Sequence, residues 1–134
     1  MCMIIDKRVK VTETEDGYLV AYKNVNQHGM SPFQYSHTFV VGENQSSRSC
    51  AELTKREDKG EWVIEGFHLF VNKDDAIKSA VRWHDKTIKV YFKPEDVVAT
   101  GVWEDNTSCQ NVVVTKLIVK SLEKVKGEQP CALK

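Results

Sequence analysis

The chain is short, electrically balanced and rich in charge, and these properties exclude several classes of protein. At 134 residues it predicts a single domain, 1–134, that is long enough to bury a core without disulfide or metal staples. Lys plus Arg and Asp plus Glu both number 19, so the formal net charge is zero. This balance argues against a nucleic-acid partner bound through a basic face, and equally against an acidic mimic of nucleic acid.

Cysteine spacing and hydropathy predict a cytoplasmic protein with free thiols. The apolar run at the N-terminus is shorter than the ~7–15 residues of a signal peptide, and no run approaches the ~20 residues of a membrane span. The cysteines are far apart, with no C-x-x-C pair, so a reducing compartment and no membrane partner are expected. They are Cys2, Cys50, Cys109 and Cys131.

The first half of the chain predicts β-hairpins. The prediction rests on alternating apolar residues and on turn residues between the strands, with Asp16-Gly17 the strongest turn signal. A slip in the alternation at Gly66 predicts a β-bulge, which would re-aim the neighbouring side chains. The predicted strands are 4–12 and 17–25, a short strand at 36–41, and then 50–56 and 61–71.

One amphipathic helix is predicted in the second half. Asp74 and Asp75 occupy its first turn, where carboxylates interact favourably with the helix dipole. Ile77, Ala80 and Val81 then repeat at the spacing of one helix face. The predicted helix is about 73–84, and the strands after it are 87–93, 98–103 and 112–122, the last one continuously apolar at its start.

These elements predict an α+β fold: a mainly antiparallel β-sheet of about seven or eight strands with one principal helix (about 73–84) packed on one face. The strand–helix–strand block at 64–92 fits either a parallel crossover or an antiparallel arrangement. Residues 127–134 are predicted to form a frayed tail.

No catalytic residue, metal site or cofactor is predicted. The four His and four Cys do not occur at zinc-ligand spacings. A nucleophilic pair of Cys50 or Cys109 with His68 is conceivable, but an inert thiol explains either cysteine more simply. The carboxylates near the helix and turn starts are explained by capping. The pattern therefore leans against an enzyme.

Five residues are candidates for binding a ligand: Tyr22, Lys23, His68, Tyr91 and Lys93. The aromatic and basic residues are neighbours on strands and would stack on and ionically hold a nucleotide-like molecule. His68 alternates away from its two apolar neighbours, so its imidazole is expected on the opposite face of the sheet from theirs. The simpler interpretation is the wet face of an ordinary sheet.

Five segments occur in a familiar order: Val20-Ala-Tyr-Lys23, Phe33-Gln-Tyr35, Glu65-Gly-Phe-His68, Ile88-Lys-Val90 and Lys116-Leu-Ile-Val119. This order resembles an uncharacterised domain common in phage and prophage proteins, over roughly 18–123. Family copies often have a cysteine just before G-F-H, where this chain has Ile64-Glu65. A second segment, Pro94-Glu-Asp-Val-Val98, resembles phage rapid-lysis type B (prophage-exclusion protector) proteins.

The order of elements is also similar to the ADP-ribosyltransferase-like fold. Those enzymes use a glutamate near the start of a late strand, and the corresponding stretch here, 109–114, contains none. The likeness implies a nucleotide cleft more readily than an activity, since fold analogy is a weak guide to function.

Three functions follow as expectations. The leading one is a non-enzymatic phage- or prophage-type accessory protein that binds a host component, either a protein surface or a nucleotide signal. The second is an enzyme or binding protein for NAD or ADP-ribose, with Tyr22, Lys23 and His68 lining the cleft. The third is a self-assembling module, a homo-oligomer that pairs through an exposed strand edge at 112–122.

Overall fold

An antiparallel sheet dominates the structure. The computed structural model describes residues 3–26, 28–30, 38–45, 54–57, 60–63, 67–80, 85–103 and 108–125. Within these ranges all strand pairs are antiparallel and one α-helix packs on the sheet, so the predicted α+β class is confirmed. The Gly66 bulge lies outside the described residues.

The described residues form eleven strands, more than the seven or eight predicted, because the predicted strands 4–12, 61–71 and 112–122 each correspond to two separate strands. The elements are β1 (Met3–Ile5), β2 (Thr12–Glu13), β3 (Leu19–Val25), β4 (Gly42–Gln45), β5 (Thr54–Glu57), β6 (Gly60–Val63), β7 (Phe67–Phe70), α1 (Lys73–Ser79), β8 (Lys86–Phe92), a 3-10 turn (Pro94–Asp96), β9 (Val97–Trp103), β10 (Gln110–Val114) and β11 (Lys116–Val119).

The block β7–α1–β8 is a crossover around an inserted strand. β3 lies between β7 and β8 and is antiparallel to both, so β7 and β8 run parallel to each other. The helix packs mainly on β3, where the side-chain amide of Asn24 donates to the carbonyl of Ala76 at 2.8 Å. Ala76, rather than the expected Ile77, is the buried residue of α1, because only a small side chain permits this close approach.

The helix is shorter than the predicted range of about 73–84. It ends at Ser79, since Ala80 has extended backbone angles and its N–H bonds to the carbonyl of Ile77 at 3.3 Å. This tighter bond is typical of a helix end and leaves the chain free to turn back towards β8. Residues 81–84 lie outside the described part of the chain.

β10 and β11 form one bent strand that closes the sheet on itself. Only Thr115 separates them along the chain, yet the strand order β11-β8-β3-β7-β10 places three strands between them. The sheet must therefore curl until its two sides meet at Thr115. There the N–H and the hydroxyl of Thr115 both donate to the carbonyl of Asp96, at 3.0 and 3.4 Å.

The bend shifts the alternation of side chains by one residue. Val112 and Val114 of β10 face the main core, and so do Leu117 and Val119 of β11, all of them fully buried. In a straight strand residues on one face are separated by an even number of positions, so Thr115 acts as the extra residue of a bulge does. The interior between the two halves is filled by apolar residues of β3, β7 and β8.

The predicted exposed edge at 112–122 is wrong. β10 pairs with β7 and β9, and β11 pairs with β8 and β4, so both strands have neighbours on both sides. The apolar residues 112–114, Leu117 and Val119 are fully buried within the closed sheet. Over the described residues the strand order ends at β4 and β5.

The shifted alternation predicts that alanine substitutions at two adjacent residues lower the free energy of unfolding by unequal amounts. Leu117→Ala should lower the free energy of unfolding by about 2–5 kcal/mol, because it opens a cavity in the core. Ile118→Ala, on the half-buried outer face, should cost less than about half as much. Urea unfolding of both variants measures this, and an equal or reversed pair of costs would contradict the shift at Thr115.

Candidate functional site

The structure distributes the five predicted ligand residues over three places. Tyr22 packs on the helix-covered face of the sheet, against the cluster formed by Phe70, Ala76 and Cys109. Trp103 also contacts this cluster, and its ring lies 5.1 Å from that of Phe70. The packing of Tyr22 is thus explained by the interface between α1 and the sheet.

Lys23 lies on the opposite face of β3 from Tyr22. It lies opposite the core residue Ile88 of β8, and Ala21 and Val25, which lie on the same face of β3, are fully buried. Its ammonium donates to the main-chain carbonyl of His68 at 3.0 Å. Burial lowers the pKa of Lys23 to about 8, because charge is disfavoured among apolar residues.

His68 has the predicted orientation. Phe67 and Leu69 belong to the main core and His68 does not, so its side chain projects from the other face of β7. The imidazole of His68 and the ammonium of Lys23 therefore point to opposite sides of the sheet. The contact between the two residues is the hydrogen bond from Lys23 to the main-chain carbonyl of His68. Tyr22, Lys23 and His68 do not line one common cleft.

Tyr91 and Lys93 lie on the outer side of the closed sheet, together with lysines of a neighbouring strand. The alternation of β8 directs Ile88, Val90 and Phe92 inward, as the sequence predicts. β11 pairs with β8 and adds its own outward residues to this face. We call this face the tyrosine–lysine strip; it consists of Lys89, Tyr91, Lys93, Lys116, Ile118 and Lys120.

The Tyr91 ring is the centre of the tyrosine–lysine strip. The ammonium of Lys120 lies 4.1 Å from the ring centroid and that of Lys89 lies 5.7 Å from it. Both lysines are exposed, whereas the Tyr91 ring is half-buried. Two solvent-accessible cations beside one aromatic ring suit a ligand that combines negative charge with a flat or apolar part.

A cavity of about 140 Å³ opens at one end of the tyrosine–lysine strip, where the two sides of the sheet meet, and we call it the seam pocket. Its apolar lining residues are Phe92, Leu117 and Ile118, of which Ile118 is the one with a side chain on the outer face. Its polar part carries charges of both signs, from Glu43, Lys93, Asp96 and Lys116, together with Tyr18.

The two carboxylates of the seam pocket differ in their partners. Glu43 forms a long ion pair with Lys116, at 3.8 Å, and both side chains are well exposed. Asp96 is held in place through its main chain, which accepts from Thr115 and donates to the carbonyl of Lys93 at 3.0 Å. No hydrogen bond or ion pair engages the Asp96 carboxylate among the described residues.

Cys109 is a packing residue. Only 4% of its surface is exposed, and burial, with the nearby Asp75 carboxylate, raises its thiol pKa to about 11. A thiol in this state is protonated at neutral pH and is a poor nucleophile. The other three cysteines lie outside the described residues.

The described residues hold no cluster of three or more His, Cys, Asp or Glu side chains that is able to bind a metal ion. In the same part of the chain, no helix has the length and apolar character needed to cross a membrane.

Tyr91 and Lys93 are the residues of the strip and the seam pocket that the sequence predicts as ligand residues. Glu43, Ile118 and Lys120 reach them through the pairing of β11 with β8 and β4, whereas Asp96 is close to Lys93 along the chain. The alternation Lys89-x-Tyr91-x-Lys93 is the one local signal of the strip. Alternation within β3 is also the signal that separates Tyr22 from Lys23.

Comparison of the chain with protein-family models, with curated proteins and with solved structures found no match. The phage-type and ADP-ribosyltransferase-like resemblances therefore stay predictions.

The lowered pKa of Lys23 predicts a pH-dependent stability. Between pH ~8 and its ordinary value of 10.5 the unfolded chain keeps a proton that the folded chain has released, so stability rises with pH. At pH 7 Lys23→Met should be about 1–2 kcal/mol more stable than the wild type, and the difference should shrink as the pH rises through this window.

Urea unfolding at pH 7 and pH 10 measures the effect, and the exposed Lys89→Met serves as a control that should show no such trend. A Lys23→Met variant that is less stable than the wild type at both pH values would show that the hydrogen bond to His68 outweighs the cost of burying the charge.

Proposed function

We propose that this chain is a small, non-enzymatic accessory protein of phage or prophage type that binds a nucleotide-like host molecule in the cytoplasm. The observation that carries the proposal is that two exposed ammonium groups lie close to one aromatic ring: those of Lys89 and Lys120 are 5.7 and 4.1 Å from the centroid of Tyr91. The seam pocket continues the same face of the sheet.

The tyrosine–lysine strip is preorganised for binding. β8 is paired on both sides, by β3 and β11, and β11 is paired on both sides, by β8 and β4. Their inward side chains are fully buried or nearly so, which fixes the backbone from which the outward side chains project. A rigid site loses less conformational entropy when a ligand binds.

The chemistry of the strip favours a nucleotide over a protein surface. Lysines bind phosphate oxygens as point charges, and an aromatic ring offers a stacking surface for a base or a packing surface for a sugar. A stable protein interface usually buries about 800 Å² on each partner around several large anchors. The strip has one aromatic side chain and a small pocket, which better fits a small molecule.

Cys109, the thiol in the described part of the chain, is poorly suited to nucleophilic catalysis. The Cys109 thiol is buried with a raised pKa, and no metal-ligand cluster occurs in those ranges. In the stretch that corresponds to the catalytic strand of ADP-ribosyltransferases, residues 111–114 are buried and none is a carboxylate.

The proposal predicts that nucleotide binding depends on two particular lysines. In isothermal titration with GMP, AMP, CMP, UMP, NAD and ADP-ribose, at least one nucleotide should bind. The double variant Lys89→Met/Lys120→Met should weaken that binding at least about tenfold, because each substitution removes a charge-assisted contact to phosphate. The exposed pair Lys7→Met/Lys78→Met removes the same charge away from the strip and should leave binding unchanged.

Binding that is equally sensitive to both double variants would mean general electrostatic attraction and would reject the tyrosine–lysine strip as the site. No binding of any nucleotide would reject the proposed ligand class. Turnover of NAD, measured as the release of nicotinamide, would instead favour the ADP-ribosyltransferase-like enzyme.

A further inference from the structure

We propose, on the basis of the proposed function, that the ligand is a guanine nucleotide whose base enters the seam pocket and whose phosphate lies between Lys89 and Lys120. The inference follows from three properties of the pocket: its size, the position of its charges and its distance from Tyr91.

The size of the seam pocket suits one ring system. Pockets for whole drug-sized ligands usually measure ~300–1,000 Å³, and this cavity measures about 140 Å³. It therefore holds a base and leaves the rest of the nucleotide outside. Among its apolar lining residues, Ile118 is the half-buried one whose side chain faces outward, and it offers a planar ring a non-polar contact.

The charges of the pocket determine which end of the nucleotide enters it. The two carboxylates, Asp96 and Glu43, are matched by two ammonium groups, Lys93 and Lys116, so the pocket has no net positive charge to attract a phosphate. Its carboxylates accept hydrogen bonds from ring N–H and amino groups. The lysines around Tyr91 are exposed and suit the phosphate. The base therefore enters the pocket and the phosphate stays on the strip.

The Asp96 carboxylate distinguishes guanine from adenine. Guanine presents two adjacent donors, N1–H and the 2-amino group, and one carboxylate accepts from both. Adenine offers one amino donor beside an unprotonated ring nitrogen, whose lone pair repels the second carboxylate oxygen. The ammonium groups of Lys93 and Lys116 line the same pocket and are donors for the guanine O6 carbonyl.

The spacing along β8 connects the two halves of the site. Tyr91 lies two residues from Lys93, roughly 6–7 Å along the strand, and Ile118 lies opposite Tyr91 on β11. A ribose over Ile118 and Tyr91 bridges a base at Lys93 and a phosphate at Lys120, whose ammonium is 4.1 Å from the Tyr91 ring centre.

Isothermal titration of the full chain with GMP, IMP and AMP tests the inference. GMP should bind most tightly, and IMP, which lacks the 2-amino group, should bind about tenfold or more weakly, as expected for loss of a hydrogen bond to a charged group. Asp96→Asn should lower the affinity for GMP about 10- to 100-fold and leave that for AMP unchanged. Asp74→Asn, the same change at an exposed position of α1, should affect neither.

The fold of Asp96→Asn should persist, since Thr115 bonds to the main chain of Asp96 and not to its side chain. The comparison of GMP with IMP needs no variant and tests the inference by itself. Equal affinities for GMP, IMP and AMP would overturn the guanine assignment while the proposed nucleotide site stands. Failure of every nucleotide to bind would overturn both.

Discussion

The structure depends on one corner, where the carbonyl of Asp96 accepts hydrogen bonds from the N–H and the hydroxyl of Thr115. A single residue there carries the chain from β10 to β11, that is, from one side of the curled sheet to the other. Without the bend the strand would keep one pair of neighbours, and Leu117 would not face the core that Val114 faces. β10 and β11 each have partners on both sides, so neither is an edge strand.

The same corner creates the candidate site. It brings the 3-10 turn after β8 next to the start of β11, so Lys93 and Asp96 line one cavity with Lys116 and Ile118. Inward side chains fill the core, and the outward ones of the same two strands form the tyrosine–lysine strip. Stability and recognition thus use opposite faces of the same strands. Lys23, by contrast, places an ammonium group on the core face, where burial lowers its pKa to about 8.

Local patterns in the sequence predict local structure here, but they do not predict which distant strands pair with each other. The turn at Thr14–Gly17 and the alternation of β8 are confirmed, because each depends on residues close together in the chain. The strand-forming residues at 112–122 do not reveal the bend, since Thr115 fits a straight strand and its partner Asp96 belongs to another element. For the same reason Tyr91 and Lys93 were predicted as site residues, while Lys120 was not.

Mapping the GMP site by two-dimensional ¹H–¹⁵N NMR tests most directly whether closure of the sheet builds a nucleotide site. Amide signals from 91–96 and from 116–120 should shift together on titration with GMP, although the two segments are far apart in sequence. Signals of α1 and β7, which lie away from the seam pocket, should stay in place. Shifts confined to one of the two segments, shifts centred on α1, or no shifts at all would contradict a binding site built by the corner at Thr115.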